Sequence, residues 1–180
     1  MKRTVIINNV NHHLSSKHVS ILFERDIKVI IYDFDGVMTN NKVLISSDGI
    51  ESVFCNRSDG LAVSEIKKAN IHQCIISAET NYVVKKRAEK LGIPCIQGIS
   101  DKKDALLEYV KNNHFELRSV AYVGNDINDL EAMKLAAVKI APKDAVPEVL
   151  AISDIITEAK GGDGVIYEIY RRYFLKHLNK

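Results

Sequence analysis

Val29-Ile30-Ile31-Tyr32-Asp33-Phe34-Asp35-Gly36 is the stretch that decides how this chain folds. Its first four residues are apolar and mostly β-branched, which suits a strand buried on both faces of a parallel sheet. Two carboxylates bracketing Phe34 follow at the strand end, and Gly36 permits a sharp turn that brings both toward one cavity. Similar runs recur at 72–77, around Ile75-Ile76, and at Val120-Ala121-Tyr122-Val123, which ends at Gly124. Helical patterns lie between them. Ser58-Asp59-Gly60 is expected to cap a helix reaching Lys67, with Leu61, Ile66 and Ala69 as its apolar positions. Thr80 or Asn81 starts a second helix that runs to Leu91 and stops at Gly92, with Pro94 just beyond. Cys95-Ile96 reads as a short strand, and Ser100 or Asp101 caps a helix carrying Leu106, Leu107 and Val110 at helical spacing. Helices and strands then alternate through Ala141 and Ile155 to an amphipathic stretch over 164–177. This alternation predicts an α/β fold of three layers, Rossmann-like, around a mainly parallel sheet.

Two regions depart from the alternation. Val43-Leu44-Ile45 and Ser52-Val53-Phe54 flank the turn signal Ser47-Asp48-Gly49 and predict a short β-hairpin. Residues 1–27 carry a mixed pattern and read as an appended arm on a domain of residues 28–180. The paired His12-His13 in that arm read as solvated surface, since no third ligand is near.

The whole chain sets further bounds. Its 180 residues suffice for one domain with a real core. Net charge is +2 with both signs interspersed, which argues against a nucleic-acid-binding surface as the main function. Cys55, Cys74 and Cys95 are widely spaced and odd in number, so reduced structural thiols of the cytosol are the better reading. The basic start Met1-Lys2-Arg3 is followed only by Val5-Ile6-Ile7, short of the ~7–15 apolar residues of an export signal. Nothing approaches the ~18 apolar residues of a membrane span. A cytoplasmic protein without membrane partners is expected.

Ligands of doubly wound sheets sit beyond the carboxyl ends of the strands. Asp33 and Asp35 end one predicted strand, Ser77 a second, and Asn125 and Asp126 a third, with Lys102-Lys103 at a helix start nearby. Phosphoryl transfer needs these parts. A carboxylate such as Asp33 can attack phosphorus and carry the phosphoryl group. Repulsion between that carboxylate and the phosphate calls for a divalent cation and a lysine. Mg²⁺ prefers hard oxygen ligands, and Asp33 and Asp126 are suitable. Asp35 is turned back to the same side and can protonate the departing alkoxide. Ser77 and Lys102 offer a hydroxyl and a cation to the phosphate. Singly, each feature has a plain explanation: a turn, a helix cap for Gly124-Asn125-Asp126-Ile127-Asn128-Asp129, a solvated helix face. Their joint occurrence at successive sheet-edge positions points to a Mg²⁺-dependent phosphatase.

Asp33-Phe34-Asp35-Gly36-Val37-Met38-Thr39, Ser77, the lysine pair and Gly124-Asn125-Asp126 together resemble the four motifs of the haloacid dehalogenase superfamily, from about Lys28 onward. The hairpin stands where larger members carry a cap domain. With Arg57-Ser58-Asp59-Gly60-Leu61 and Gly161-Gly162-Asp163-Gly164-Val165, it looks like the 3-deoxy-D-manno-octulosonate 8-phosphate (KDO 8-phosphate) phosphatase group. That group includes relatives acting on nonulosonate (KDN or sialic acid) 9-phosphates. The resemblance implies Asp33 as nucleophile and metal ligand, and Asp35 as acid/base with its backbone carbonyl on Mg²⁺. It implies Ser77 and Lys102 on the phosphate and Asp126 as the remaining protein ligand. Lys102 is preferred to Lys103 because the family's lysine follows Gln-Gly-x-x-x, here Gln97 to Asp101. Asn125 departs from the acidic residue often found there and removes a charge next to the ligands, with Asp129 as a supporting partner.

The resemblance also places Arg57, Gly60, Glu79 and Lys90 at the substrate. Ala78-Glu79-Thr80 stands where octulosonate phosphatases commonly have Gly-Arg after the serine. Glu79 and Lys90 are similar to residues of the nonulosonate relatives, so the reading leans to a nine-carbon sugar acid phosphate. Members of the group are similar in forming homotetramers whose hairpins and tails complete neighbouring sites. The tail glycines also admit a simple helix boundary. Tyr167, Tyr170, Tyr173 and Phe174, at helical spacing, read as packing or interface residues. The alternative from a different class is a non-catalytic domain that partners a sugar-acid cytidylyltransferase. A signalling receiver domain, which keeps its phosphorylated Asp away from an acidic pair, fits less well.

Overall fold

The computed structural model describes residue 22 and residues 25–175. Most of the arm read over 1–27, including His12-His13, and residues 176–180 lie outside the described residues.

The first strand, β1 (Val29–Tyr32), is fully buried along its length, as a run of apolar residues with no polar alternation requires. The hairpin strands β2 (Leu44–Ile45) and β3 (Glu51–Ser52) follow, then helix α1 (Arg57–Lys68), β4 (His72–Ile76), α2 (Tyr82–Leu91), β5 (Cys95–Ile96) and α3 (Lys102–Asn112). The second half holds β6 (Val120–Val123), α4 (Leu130–Leu135), β7 (Val138–Ala141), α5 (Pro147–Ile152), β8 (Ile155–Ile156) and α6 (Val165–Ile169), which continues as a wider π turn over Tyr170–Phe174. Six strands form one parallel sheet in the order β5-β4-β1-β6-β7-β8. The chain winds outward from β1 to β5, returns to β6 and winds outward the other way. The reversal falls between β1 and β6, and the crevice beyond their carboxyl ends is where such sheets hold ligands.

Strand alternation divides the core in two. Ile30 and Tyr32 of β1, with Ala121 and Val123 of β6, face Ala62, Val63 and Ile66 of α1 and Val165, Ile166 and Ile169 of α6. Val29, Ile31, Val120 and Tyr122 face the opposite layer, with Leu106 of α3, Met133 of α4 and Val149 of α5. The three-layer α/β expectation therefore holds. Each fully buried apolar side chain contributes about 1.5–3 kcal/mol relative to exposure. Tyr170, Tyr173 and Phe174 belong to the first of these cores, so they are packing residues of the chain's own interior.

Several local expectations are corrected. Helix α1 is capped by Asn56, whose side chain accepts from Ser58 N at 2.8 Å, so Ser58-Asp59-Gly60 lies inside the helix. Its buried face is Asp59, Ala62, Val63 and Ile66, and Leu61, one position off that stripe, is exposed. In the hairpin the paired residues are Leu44 with Ser52 and Ile45 with Glu51, so Val53 and Phe54 fall beyond the ladder. The caps at Asn81, Gly92 and Asp101 stand where the sequence signals put them.

Asp59 is the one carboxylate buried in the α1 face. Its Oδ1 accepts from Tyr167 N at 2.9 Å, tying α1 to the first turn of α6. Among the described residues Oδ2 has no hydrogen-bond partner. Burial pushes this carboxyl up to about 6, against lowering by the Tyr167 amide and Arg87. The folded state therefore holds a proton that the unfolded chain releases near pH 4. Its contribution is complete below about pH 4 and is lost as pH rises through about 6. Urea midpoints measured from pH 4 to 7 should fall more steeply with pH in the wild type than in Asp59→Asn; parallel profiles would refute this.

Candidate active site

β1 and β6 deliver their next residues to the crevice at the reversal point. Asp33 N donates to Val123 O at 2.9 Å, which carries the β1–β6 ladder one residue beyond the strand. A cavity of about 240 Å³ opens here, lined by Asp33, Asp35, Ser77, Glu79, Lys102 and Asp126 among others. That is smaller than the ~300–1,000 Å³ typical of whole small-molecule pockets. It suits a phosphate and the atoms next to it.

Asp33 is buried, and Oδ1 accepts from Phe34 N at 2.7 Å. Lys102 reaches the same oxygen at 2.8 Å and Asp129 Oδ1 at 2.8 Å, with Asn128 Oδ1 at 3.3 Å. Asp101 sets this up: it accepts from Lys103 N and Asp104 N and caps α3, so Lys102 is the first helical residue. A cation at a helix N-terminus is unfavourable toward the dipole, and the two carboxylates offset that. Asp129 accepts in addition from Asn125 N, Asp126 N and Tyr122 OH, at 3.0, 3.2 and 3.1 Å.

Two buried carboxylates thus share one ammonium. Asp33 is pushed up to about 8, first by burial and then by the charge of Asp129, with Lys102 pulling it down. Burial works to lower the Lys102 pKa, but Asp33 and Asp129 outweigh it and the net direction is upward. Carboxyls outnumber the ammonium in an oxygen-lined pocket, and the raised Asp33 pKa marks a place where one further positive charge, a proton or a hard cation, is favoured.

Asp35 stands beside this cluster, half-buried. Thr39 Oγ1 donates to its Oδ1 at 3.0 Å. Burial raises the Asp35 pKa, and the nearby Glu79 and Glu51 charges add to this against the Thr39 hydrogen bond. A carboxyl held in that direction can keep a proton for delivery. Ser77 is buried, and its Oγ accepts from Glu79 N at 3.1 Å. Glu79 folds back on its own loop, Oε1 accepting from Thr80 N and Asn81 N at 2.7 and 3.0 Å. The hairpin reaches the same loop, through Glu51 Oε2 accepting from Asn81 Nδ2 at 2.7 Å.

The sequence reading and the structure divide at Asn125 and Asp126. One end of the Asn125 amide lies 3.1 Å from Asp33 Oδ2 and 2.9 Å from the Asp35 carbonyl oxygen. Facing those acceptors alone, that end is Nδ2 and donates to both. Turned the other way, the same amide would offer Oδ1 as an oxygen donor to a cation. Asp126 sits at the cavity rim, with Oδ1 accepting from Ile127 N at 2.7 Å. The side chain directed at Asp33 and Asp35 is therefore Asn125, expected only as a neighbour of the ligands. Among the described residues no three imidazole, thiolate or carboxylate groups form a metal cluster by side chains alone. A donor set that includes the Asp35 main-chain carbonyl needs only two.

Arg57, Gly60 and Lys90 do not line the cavity. Lys90 is in the last turn of α2, Arg57 is an exposed residue opening α1, and Gly60 packs toward Leu91. Thr39 was missed as a functional residue. Its signal was a lone hydroxyl after Val37-Met38 in a segment that had to turn into the core.

Comparison with known proteins agrees with this architecture. The family described as haloacid dehalogenase-like hydrolase matches residues 2–169. The 3-deoxy-D-manno-octulosonate 8-phosphate phosphatase KdsC of Yersinia pestis is 31% identical over 145 residues, covering 80% of this chain and 78% of that protein. KdsC of Salmonella typhi is 30% identical over 155 residues, covering 86% and 82%. Among solved structures, the same-named phosphatase of Moraxella catarrhalis, in complex with magnesium ion, phosphate ion and KDO, has a TM-score of 0.81 at 31% identity. It covers 87% of this chain and 94% of that one.

Replacing Lys102 leaves Asp33 and Asp129 buried against each other without a counter-charge. Lys102→Met should lower the metal-free protein's unfolding free energy by about 3–5 kcal/mol. Denaturant titration without divalent ions checks this, and a loss under about 1 kcal/mol would count against the shared-ammonium arrangement.

Proposed function

The chain belongs to the haloacid dehalogenase-like hydrolase family, in the group of the 3-deoxy-D-manno-octulosonate 8-phosphate phosphatases, and is a phosphoric monoester hydrolase. From that premise we propose that it removes the terminal phosphate of a 3-deoxy-2-ulosonic sugar acid through an aspartyl-phosphate on Asp33, with Mg²⁺ as cofactor. The observation that carries this reading is the convergence of Asp33, Asp35, Ser77 and Lys102 on one small cavity.

The residues divide the work as follows. Ser77 Oγ and Lys102 Nζ hold the phosphate oxygens. The Asp33 carboxylate attacks phosphorus in line with the ester oxygen, forming an O–P bond as the P–O bond to the sugar breaks. Asp35 gives its proton to the departing alkoxide. A water then attacks the phosphorus while giving a proton to Asp35, the Asp33 O–P bond breaks, and Asp33 and inorganic phosphate are released. Bound Mg²⁺ would neutralise the charge that builds where phosphate meets carboxylate. Asp33 and the Asp35 carbonyl would hold it. Asn125 is favoured over Asp126 as the third protein donor, because its amide already faces both oxygens.

Substrate length rests on a narrower observation. An acid, Glu79, lines the cavity, and we read it as favouring a nine-carbon over an eight-carbon sugar acid phosphate. The rest of the sugar would extend toward the hairpin. Leu44, Ile45, Ile50 and Phe54 are 63–73% exposed there, a patch that supports assembly with further copies as a homotetramer. Arg57 and Lys90, exposed and away from their own cavity, would then be available to a neighbour. Three free thiols and an interspersed surface charge suit the cytoplasm. Among the described residues no helix is long and apolar enough to cross a membrane. A purely regulatory partner of a sugar-acid cytidylyltransferase would have no use for the buried Asp33–Lys102 pair.

With Mg²⁺ the purified protein should release phosphate from a ulosonate phosphate, and EDTA or Asp33→Asn should abolish release. Turnover surviving Asp33→Asn would remove the nucleophile from this mechanism. Side-by-side rates on eight- and nine-carbon substrates decide the length, and preference for the shorter would reverse the Glu79 reading. Calorimetric Mg²⁺ titration should show a larger affinity loss for Asn125→Ala than for Asp126→Ala; the reverse order would return Asp126 to the donor set.

A further inference from the structure

The loop after the nucleophile is gripped from two sides. On one side, a Cβ on Gly36 would lie 2.0 Å from the end of the Asn125 amide that points away from Asp33. On the other, the glycine pair of the C-terminal segment presses against the loop backbone. A Cβ on Gly161 would lie 2.2 Å from the Gly36 carbonyl oxygen and 3.0 Å from that of Thr39. One on Gly162 would lie 2.5 Å from Asn40 N, and Gly162 N itself donates to Val37 O at 3.0 Å. No side chain fits at such distances, so the two stretches of backbone meet only because both residues are glycine. The contact is made within one chain, and it concerns the active-site loop more than the helix boundary that follows.

The segment is itself anchored. Gly161 N donates to Asp144 Oδ1 at 2.9 Å, Ala159 N and Glu158 N donate to the Glu168 carboxylate at 2.7 and 2.9 Å, and Lys143 N donates to Ala159 O at 3.1 Å. Beyond it α6 is buried through Val165, Ile166 and Ile169. Across the contact lies Thr39, fully buried. Its hydroxyl oxygen accepts from Gly36 N at 3.3 Å and Asn41 N at 3.2 Å, which leaves its proton for Asp35 Oδ1 at 3.0 Å. A continuous line of contacts therefore runs from the C-terminal core through Gly161-Gly162 and the loop to the Asp35 carboxyl.

We propose that Gly161-Gly162 forms a strap that holds the loop in the one conformation where Thr39 aims the Asp35 carboxyl at the leaving oxygen. Thr39 and the strap are positioning residues, and their role rests on the acid/base assignment of Asp35 above. Proton delivery matters for an alkoxide leaving group and little for a resonance-stabilised aryl oxide, so the two kinds of ester separate aiming from general damage.

Thr39→Val removes the hydroxyl with little change of shape. Its kcat on an alkyl sugar-acid phosphate should fall about 10- to 100-fold, and at least tenfold less on p-nitrophenyl phosphate, with KM nearly constant. Thr39→Ser should restore most of the loss. Gly161→Ala should reproduce the split; unlike Gly162 (φ +76°), Gly161 is outside the left-handed region, so alanine there tests space and not backbone strain. Hydrogen exchange supplies a readout free of turnover. The Gly36 and Asn41 amides should exchange at least tenfold faster in Gly161→Ala, with β1 and β6 unchanged. Equal losses on both esters, no rescue by serine, or unchanged exchange in the loop would each overturn the strap. Should Gly161→Ala fail to fold, the Thr39 pair decides alone. Wild-type protein that releases phosphate from neither ester overturns the reaction itself, and with it the aiming role.

Discussion

The Lys102 ammonium between Asp33 and Asp129 is the constraint around which the rest is arranged. All three groups are buried, at 3%, 5% and 0% exposure, where an uncompensated charge is far more costly than on the surface. One lysine cannot neutralise two carboxylates. Asp129 Oδ1 accepts from Tyr122 OH as well as Lys102, and its Oδ2 accepts from Asn125 N and Asp126 N. That use of Asp129 fixes the turn after β6, and with it the direction of Asn125. The same lysine ties α3 to β1 and β6, joining elements from opposite halves of the chain. Two carboxyls on one buried ammonium leave a place for one further positive charge, which a proton or the proposed Mg²⁺ would fill.

Close backbone approach is the second constraint, and it acts on Asp35 more than on Asp33. Asp33 is the direct continuation of a buried strand, so the sheet positions it. Asp35 lies beyond Phe34 in a loop with no ladder of its own. Its orientation comes from Thr39, from the Asn125 amide on its carbonyl and from the glycine pair pressing on the loop behind it. Asp33 and Asp35, the proposed nucleophile and acid, are two residues apart in sequence, yet they are held by different parts of the molecule. The two carboxyls therefore occupy different surroundings, Asp33 against Lys102 and Asp35 against Thr39.

Much of the architecture was legible in the residues. Val29–Tyr32 and Val120–Val123 are continuous apolar runs that make sense only between two layers, and Asn81, Gly92 and Asp101 punctuate the helices by local chemistry. The misreadings were local as well. Asn56, one residue before the helix, outcompeted Ser58 as the cap of α1, because its side chain already satisfies the Ser58 amide. Leu61 was counted as core although it lies off the Asp59–Ala62–Val63–Ile66 stripe. In the site, Asp33, Asp35, Ser77 and Lys102 were found because each ends a strand or opens a helix. Lys90 lies in the last turn of α2, and Arg57 opens α1 but away from the crevice; neither is part of the cavity.

By itself the sequence determined which segments are buried, in what order strands and helices alternate, and which chemistry-bearing residues stand at strand ends. These follow from periodicity and caps, which act over a few residues. Only the tertiary structure decided that the Asn125 amide reaches Asp33, and that Asp129 shares Lys102 with Asp33. It alone brought the Gly161 and Gly162 backbone against a loop more than 120 residues earlier in the chain, too close for any side chain. Adjacent residues such as Asn125 and Asp126 look equivalent along the chain. They are told apart when β1 and β6 pair side by side, which brings the Asn125 amide to 3.1 Å from Asp33 Oδ2 and 2.9 Å from the Asp35 carbonyl oxygen while Asp126 lines the cavity beside them.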